Sequence, residues 1–203
     1  MRRVVDVLVA SAALLVTAPL LAVLAAVVRV RTGGPVLFRQ VRAGRDGDEF
    51  VILKLRTMRD EAYPGEPDRD RLSRLGTWLR SSSLDELPQL WNVVRGDMSL
   101  IGPRPTLPEQ VRRYDARQHG RLAVRPGLTG WAQVNGRNAL TWPERIELDL
   151  WYLEHRGLLL DLRIVALTLL RLVRPSGVTG TGGVNPGFPG QDTDDGGAVA
   201  TTR

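Results

Sequence analysis

Ser81–Pro105, SSSLDELPQLWNVVRGDMSLIGPRP, sets two adjacent carboxylates, Asp85 and Glu86, just ahead of a proline and an apolar run. Proline lacks a backbone donor and is tolerated in a helix only in its first turn, so Pro88 predicts a helix starting within a residue or so of Asp85. Asp85 or Ser83 is the expected N-cap, and Ser83 with Glu86 fits a capping box. The carboxylates then sit where unpaired N–H groups and the positive end of the dipole gather, a place that suits an anion. Leu87, Leu90, Trp91 and Val94 give the helix one apolar face, Gly96 and Asp97 stop it, and Gly102-Pro103-Arg104-Pro105 follows as a stiff extended loop carrying Arg104. Alone, this pattern also describes a capped surface helix.

The rest of the chain narrows the chemistry. Among its 203 residues there is no cysteine, which excludes a disulfide framework, a thiolate metal site and a thiol nucleophile. His119 and His155 are its two histidines, too few for an ordinary zinc site. The net charge of +6 points to an anionic partner. Lys54 is the single lysine among many arginines, a compact ammonium where guanidinium forks are the rule.

Val7–Val28 carries no charge over 22 residues, long enough to span a bilayer. A signal peptide, a spanning helix and a re-entrant helix compete. The run exceeds a signal peptide's apolar core of roughly 7–15 residues. Pro19 lies mid-segment, and both flanks are basic: Arg2 and Arg3 before, Arg29, Arg31, Arg39 and Arg42 after. The positive-inside rule draws both flanks to the cytoplasm, which favours re-entry, with Thr17 as the hydroxyl available to the backbone freed by Pro19.

Val36–Gln40 and Phe50–Arg56 read as two short strands around the turn Arg45-Asp46-Gly47-Asp48. Lys54 and Arg56 share a face of the second strand as a cationic pair. Leu72, Leu75, Trp78 and Leu79 mark an amphipathic helix ending near Arg80, five residues before Asp85. Pro108–His119 reads as a charged helix. Arg125–Asn138 is a glycine- and amide-rich loop suited to a sugar or nucleotide. Trp142–His155 is a helix broken by Gly157, and Leu158–Val173 is a very apolar helix whose broad face is either core or, as its basic setting favours, laid in the headgroup plane. The expected class is therefore α+β, mostly helical. Residues 1–32 form a membrane helix, 33–174 a catalytic domain of a small β-hairpin with interfacial helices, and 175–203 a Gly/Pro/Thr/Asp-rich tail without periodicity, read as disordered.

Five blocks in order, GPVLFRQ (Gly34–Gln40), KLRTM (Lys54–Met58), SLDELPQLWNVVRGDMSLIGPRP (Ser83–Pro105), RPGLTGWAQVNGRN (Arg125–Asn138) and ELDLWYLEH (Glu147–His155), give the chain its family likeness. It resembles the bacterial sugar transferases, the small monotopic polyprenyl-phosphate phosphoglycosyl transferases. The resemblance implies an enzyme of the bacterial inner membrane with its catalytic domain on the cytoplasmic side. Such an enzyme passes sugar-1-phosphate from a UDP-sugar to undecaprenyl phosphate, releases UMP, and starts assembly of an exopolysaccharide, O-antigen or glycan. It makes Asp85 the nucleophile of an aspartyl-phosphosugar intermediate. Mg²⁺ assists at Asp85 and Glu86, with Glu86 the metal partner or proton handler. Lys54, Arg56, Arg80 and Arg137 fall on the family's basic positions, and Arg104 and Arg125 join them as phosphate-binding candidates. The family's late acidic position falls on Asp161, with Asp149 as the alternative. The family's Ser-Pro pair is Ala18-Pro19 here, which moves the helix hydroxyl to Thr17. Membrane lipid is an implied partner, self-pairing into a homodimer is left open, and nucleic acid is not expected because the arginines are dispersed and aromatic residues sparse.

Overall fold

The computed structural model describes residues 2–63, 66, 68–136 and 140–173. Arg137 and the segment 175–203, both named above, lie outside them.

Helix α1 (Arg2–Thr32) runs uninterrupted through Pro19, so the break expected there is not a break in secondary structure. Arg3, Asp6, Ala10, Ala13, Leu14, Leu21, Leu24 and Val28 recur every three, four or seven residues and form one stripe. That stripe lies along the protein body. Near the N-terminus the Arg3 guanidinium donates to the carbonyls of Val93 (2.6 Å) and Val94 (2.9 Å). Asp6 accepts from Ser99 Oγ (2.8 Å) and the Leu100 amide (3.2 Å). Ala10 is buried with Phe50, Ile52, Leu90, Val93 and Met98. Toward the C-terminus, Leu24 and Val28 are buried with Leu55 and Leu79. The opposite stripe, Val5, Leu8, Leu15, Val16, Val23, Val27 and Val30, is exposed.

Strands β1 (Leu37–Ala43) and β2 (Glu49–Leu55) form an antiparallel hairpin in the register Gln40↔Ile52. β1 runs three residues further than expected, because the reversal is a tight 3-10 turn, Arg45–Gly47, in which Asp46 takes φ 56°. Phe50 and Ile52 point into the core, and Lys54 follows them on the same face by strand alternation. The open edge of β2 is covered by one side chain: Asn92 accepts from the Leu53 amide (3.1 Å) and donates to the Val51 carbonyl (2.8 Å).

After α2 (Asp68–Arg71), α3 (Arg74–Ser81) starts on a Ser73 cap that accepts from the Gly76 amide. Helix α4 (Gln89–Arg95) leads into β3 (Ser99–Ile101), which pairs in parallel with β4 (Gly127–Thr129), a second small sheet the periodicity did not announce. Backbones meet closely there: a Cβ on Gly127 would stand 2.1 Å from the Gly102 amide nitrogen, and one on Gly130 2.1 Å from the Gly102 carbonyl oxygen. These contacts bring the Gly102–Pro105 loop against the Arg125–Gly130 loop.

The expected helix Pro108–His119 is two single turns instead, α5 (Pro108–Val111) and α6 (Ala116–His119). Tyr114 turns inward between them and its hydroxyl meets Thr106 Oγ1 at 3.1 Å, while Asp115 caps α6. α7 (Trp131–Asn135), α8 (Trp142–His155) and α9 (Leu158–Val173) complete the order, the last two with the expected bounds. Ile164 on α9 is fully buried, and Thr168 meets Thr129 of β4 at 2.7 Å. The other face of α9 is open, with Leu159 83% exposed and Leu158, Leu162 and Leu169 more than half exposed.

Candidate active site

The two carboxylates ride a separate 3-10 turn, Leu84–Glu86, one turn ahead of α4. The predicted cap is not formed: Ser83 lies in the left-handed region at φ 58°, its hydroxyl caps nothing, and Pro88 precedes the helix proper. Both reasons are tertiary. Glu86, which a capping box would fold back on the backbone, is drawn to two cations instead. Left-handed Ser83 also reverses the chain between α3 and the turn, a conformation costing a non-glycine residue about 1–2 kcal/mol. Leu84 and Leu87 pack the turn onto the two core clusters beneath it.

Glu86 Oε1 accepts from Lys54 Nζ at 2.8 Å and from Arg104 Nη2 at 2.7 Å. One oxygen thus joins the hairpin, the dyad turn and the Gly102–Pro105 loop. Burial works to raise the Glu86 carboxyl, but Arg104 and Lys54 outweigh it and hold it well below the usual carboxylate range. Burial likewise lowers the Lys54 ammonium, against the pull of Glu86.

Asp85 is the contrast. Its carboxylate has no hydrogen bond or ion pair among the described residues, although the residue is only 7% exposed. Burial, then the neighbouring Glu86 charge, push it up to about 6 from 3.8, with Lys54, Arg104 and Arg80 opposing. Arg80 is held beside it through Nε, which donates to Thr57 Oγ1 at 3.0 Å. The turn therefore presents one carboxylate consumed by its partners and one left free, under the charge of three cations. A buried, unpaired carboxylate of raised pKa among cations has the properties of a nucleophile awaiting an anionic electrophile.

Lys54, Arg80, Arg104, Asp85 and Glu86 thus converge as the sequence suggests. The other candidates are placed elsewhere. Arg56 pairs with Asp60 at 3.1 Å and lies against Gly34. Arg125 donates to the Gly96 carbonyl at 2.9 Å, beyond the far end of α4. Asp149 is buried against equally buried Arg121, whose guanidinium also donates to the Tyr114 hydroxyl and the Arg104 carbonyl. Asp161 joins three helices, accepting from Tyr152 Oη (2.8 Å) and pairing with Arg2 (3.0 Å). Thr17 donates to the Ala13 carbonyl at 2.7 Å; the carbonyl left without a donor by Pro19 is that of Leu15, so Thr17 does not serve the freed group. Among the described residues no three His, Asp or Glu side chains are grouped to hold a metal ion.

One residue near the dyad was missed. Arg42 pairs with Phe50 across the hairpin, so it shares the sheet face of Lys54, and its charge is felt together with those of Arg104 and Glu86. Strand alternation extended three residues further along β1 would have found it.

A family model described as bacterial sugar transferase matches residues 1–175. The uncharacterized sugar transferase EpsL of Bacillus subtilis (strain 168) is 44% identical over 184 residues, covering 89% of this chain and 91% of that protein. A UDP-glucose:undecaprenyl-phosphate glucose-1-phosphate transferase of Caulobacter vibrioides is 44% identical over 186 residues, covering 85% of this chain and 69% of that protein. One of the same name from Klebsiella pneumoniae is 39% identical over 183 residues, and the match spans only 39% of its length. With the family model matched over most of its length and Asp85, Glu86, Lys54 and Arg104 gathered at one site, the chain belongs to the bacterial sugar transferase family.

Proposed function

We propose that this protein transfers sugar-1-phosphate from a UDP-sugar to undecaprenyl phosphate as a membrane step of polysaccharide synthesis, with Asp85 as nucleophile. An Asp85 oxygen attacks the sugar-bearing phosphorus. The bond from that phosphorus to the bridging oxygen breaks, and UMP leaves with the oxygen and its electron pair. An oxygen of the lipid phosphate then attacks the same phosphorus. The Asp85 carboxylate is restored and the product is a lipid diphosphate sugar. The observation that carries this reading is the free, buried Asp85 carboxylate, acted on by the charges of Lys54, Arg104 and Arg80. These cations offset the repulsion between a carboxylate and a diphosphate and stabilise charge moving onto the leaving UMP. Glu86 orients Lys54 and Arg104 from below.

Mg²⁺ fits this donor set only in part: Asp85 is free to bind it, one Glu86 oxygen is taken by two cations, and the remaining ligands would be substrate phosphate oxygens and water, whose charge the ion would neutralise.

The membrane reading rests on α1 and α9. α1 is long and apolar enough to cross a bilayer by length and composition. Yet residues 3 and 28, about 38 Å apart along a straight helix, are both fixed to one body. A perpendicular crossing would carry that charged body through the hydrocarbon. With α1 unbroken, both ends stay at the cytoplasmic face if the helix lies along one leaflet, which leaves the exposed apolar stripe in lipid and the body outside it.

Purified enzyme incubated with undecaprenyl phosphate and a panel of UDP-sugars, beginning with UDP-glucose, tests the reaction. UMP release, with a phosphohexose adduct on Asp85 in quenched samples, is the expected result. UDP release instead would mean transfer of the sugar alone.

A further inference from the structure

The dyad's cations are Lys54, Arg80 and Arg104, yet a further arginine lies next to them with no carboxylate of its own. Arg42 forms no ion pair among the described residues, and its Nε is buried without a hydrogen-bond partner. The rest of its guanidinium is oriented by Gln40, whose Oε1 accepts from Nη2. Gln40 and Arg42 pair with Ile52 and Phe50, so both side chains stand on the sheet face that carries Lys54. One residue further, the Ala43 amide donates to the Thr106 carbonyl at 2.9 Å, which fastens β1 beside the Arg104 loop. Burial, and next the charge of Arg104, lower the Arg42 guanidinium to about 10, against Glu109 and Glu86. It stays protonated at neutral pH, a partly desolvated cation under the charge of another.

An orienting glutamine, a buried unused donor and an adjacent like charge describe a site built for an anion that is not part of the chain. We propose that Arg42, held by Gln40, binds a non-bridging phosphate oxygen of a phosphorylated ligand, making with Arg104 a phosphate subsite beside the dyad. This rests on the transferase reading, in which two phosphorylated ligands reach Asp85 in turn.

The test uses the full chain in detergent, titrated calorimetrically with UDP and separately with a short-chain polyprenyl phosphate. Arg42→Gln weakens one of the two by about ten- to hundredfold, the range for a lost charge-assisted hydrogen bond. Weaker UDP places the subsite with the donor, and weaker polyprenyl phosphate with the acceptor. Unchanged affinity for both, in a variant that melts like the parent, overturns the proposal. Should Arg42→Gln not fold, Arg42→Lys, which keeps the charge but loses the fork and the Gln40 bond, is read the same way. It binds several-fold more weakly, and parental affinity overturns the proposal. A parent that binds UDP but releases no UMP in turnover removes the transferase reading and leaves the subsite standing; one that binds neither probe removes both.

Discussion

Replacing Asp85 by Asn stops turnover and also makes the protein more stable. Its carboxyl titrates near 6 in the folded chain and near 3.8 otherwise, because burial and Glu86 disfavour its charge more than the three cations favour it. A folded pKa raised above the unfolded one means that ionisation weakens the native state. The penalty is absent below pH 3.8, grows between there and 6, and is complete above. Its full size is about 3 kcal/mol, at 1.36 kcal/mol per pKa unit. Asn is nearly isosteric and carries no charge to desolvate, so it recovers most of this at neutral pH. For a domain of this size that is a melting temperature about 6–12 °C higher. Parent and variant are melted in the same detergent at pH 7.5 and at pH 4, and UMP release is scored in parallel. The gain should be large at pH 7.5 and nearly gone at pH 4, with no turnover at either. A variant that melts lower than the parent at pH 7.5, or keeps the same gain at pH 4, would refute the claim that Asp85 is a desolvated, poorly compensated charge. A carboxylate that only capped a helix would produce neither the gain nor its pH dependence.

Three more expectations concern other residues or conditions. In a single turnover of UDP-sugar without lipid acceptor, the rate at limiting substrate should fall to about one tenth between pH 7 and pH 5, following the ionised fraction of a group titrating near 6; a flat profile would exclude Asp85 as the group that must be charged. Asp149→Asn leaves buried Arg121 without its counter-charge and should cost about 3–5 kcal/mol in denaturant unfolding; a loss of activity at parental stability would return Asp149 to the substrate instead. Arg125→Gln should lower stability by about 1–2 kcal/mol through its bond to Gly96, with kcat/KM for UDP-sugar within about twofold of the parent.

Periodicity carried far where it met little competition. α8 and α9 have the expected bounds because an apolar stripe, the Gly157 break and the cap at Thr141 agree with one another. The hairpin was legible from alternation, and its longer first strand followed from a reversal tighter than the turn composition implied. The dyad turn was legible as chemistry but not as local structure. Ser83, Asp85 and Glu86 have the right spacing for caps, but spacing says nothing of Lys54, 32 residues away, or Arg104, 18 residues away, which claim Glu86. Charged residues in family-like positions raise the same difficulty in reverse. Asp149, Asp161 and Arg125 fit a substrate role as well as a structural one, and the structure adds partners that spacing does not reveal: Arg121, Arg2 and the Gly96 carbonyl. Arg42 was overlooked because it was counted as a membrane-flanking charge, when its strand partner Phe50 puts it on the sheet face that carries Lys54.

The position of the dyad follows from how α1 is used. Leu84 packs with the cluster that includes Leu24 and Val28, and Leu87 with the cluster that includes Ala10. The turn bearing Asp85 therefore stands on both halves of the apolar helix rather than on a distant lobe. Arg3 ties the start of α1 to the last carbonyls of α4, the helix that extends from the same turn. On the proposed reading, the helix that would seat the protein in lipid and the turn that carries the proposed nucleophile are thus one packed unit. That coupling suits an acceptor whose phosphate is confined to headgroup depth while its chain stays in hydrocarbon. The enzyme need not lift the lipid out, which would expose apolar surface to water at about 25 cal/mol per Å². On that reading Asp85 would reach the phosphate because its turn is packed directly upon the apolar helix α1.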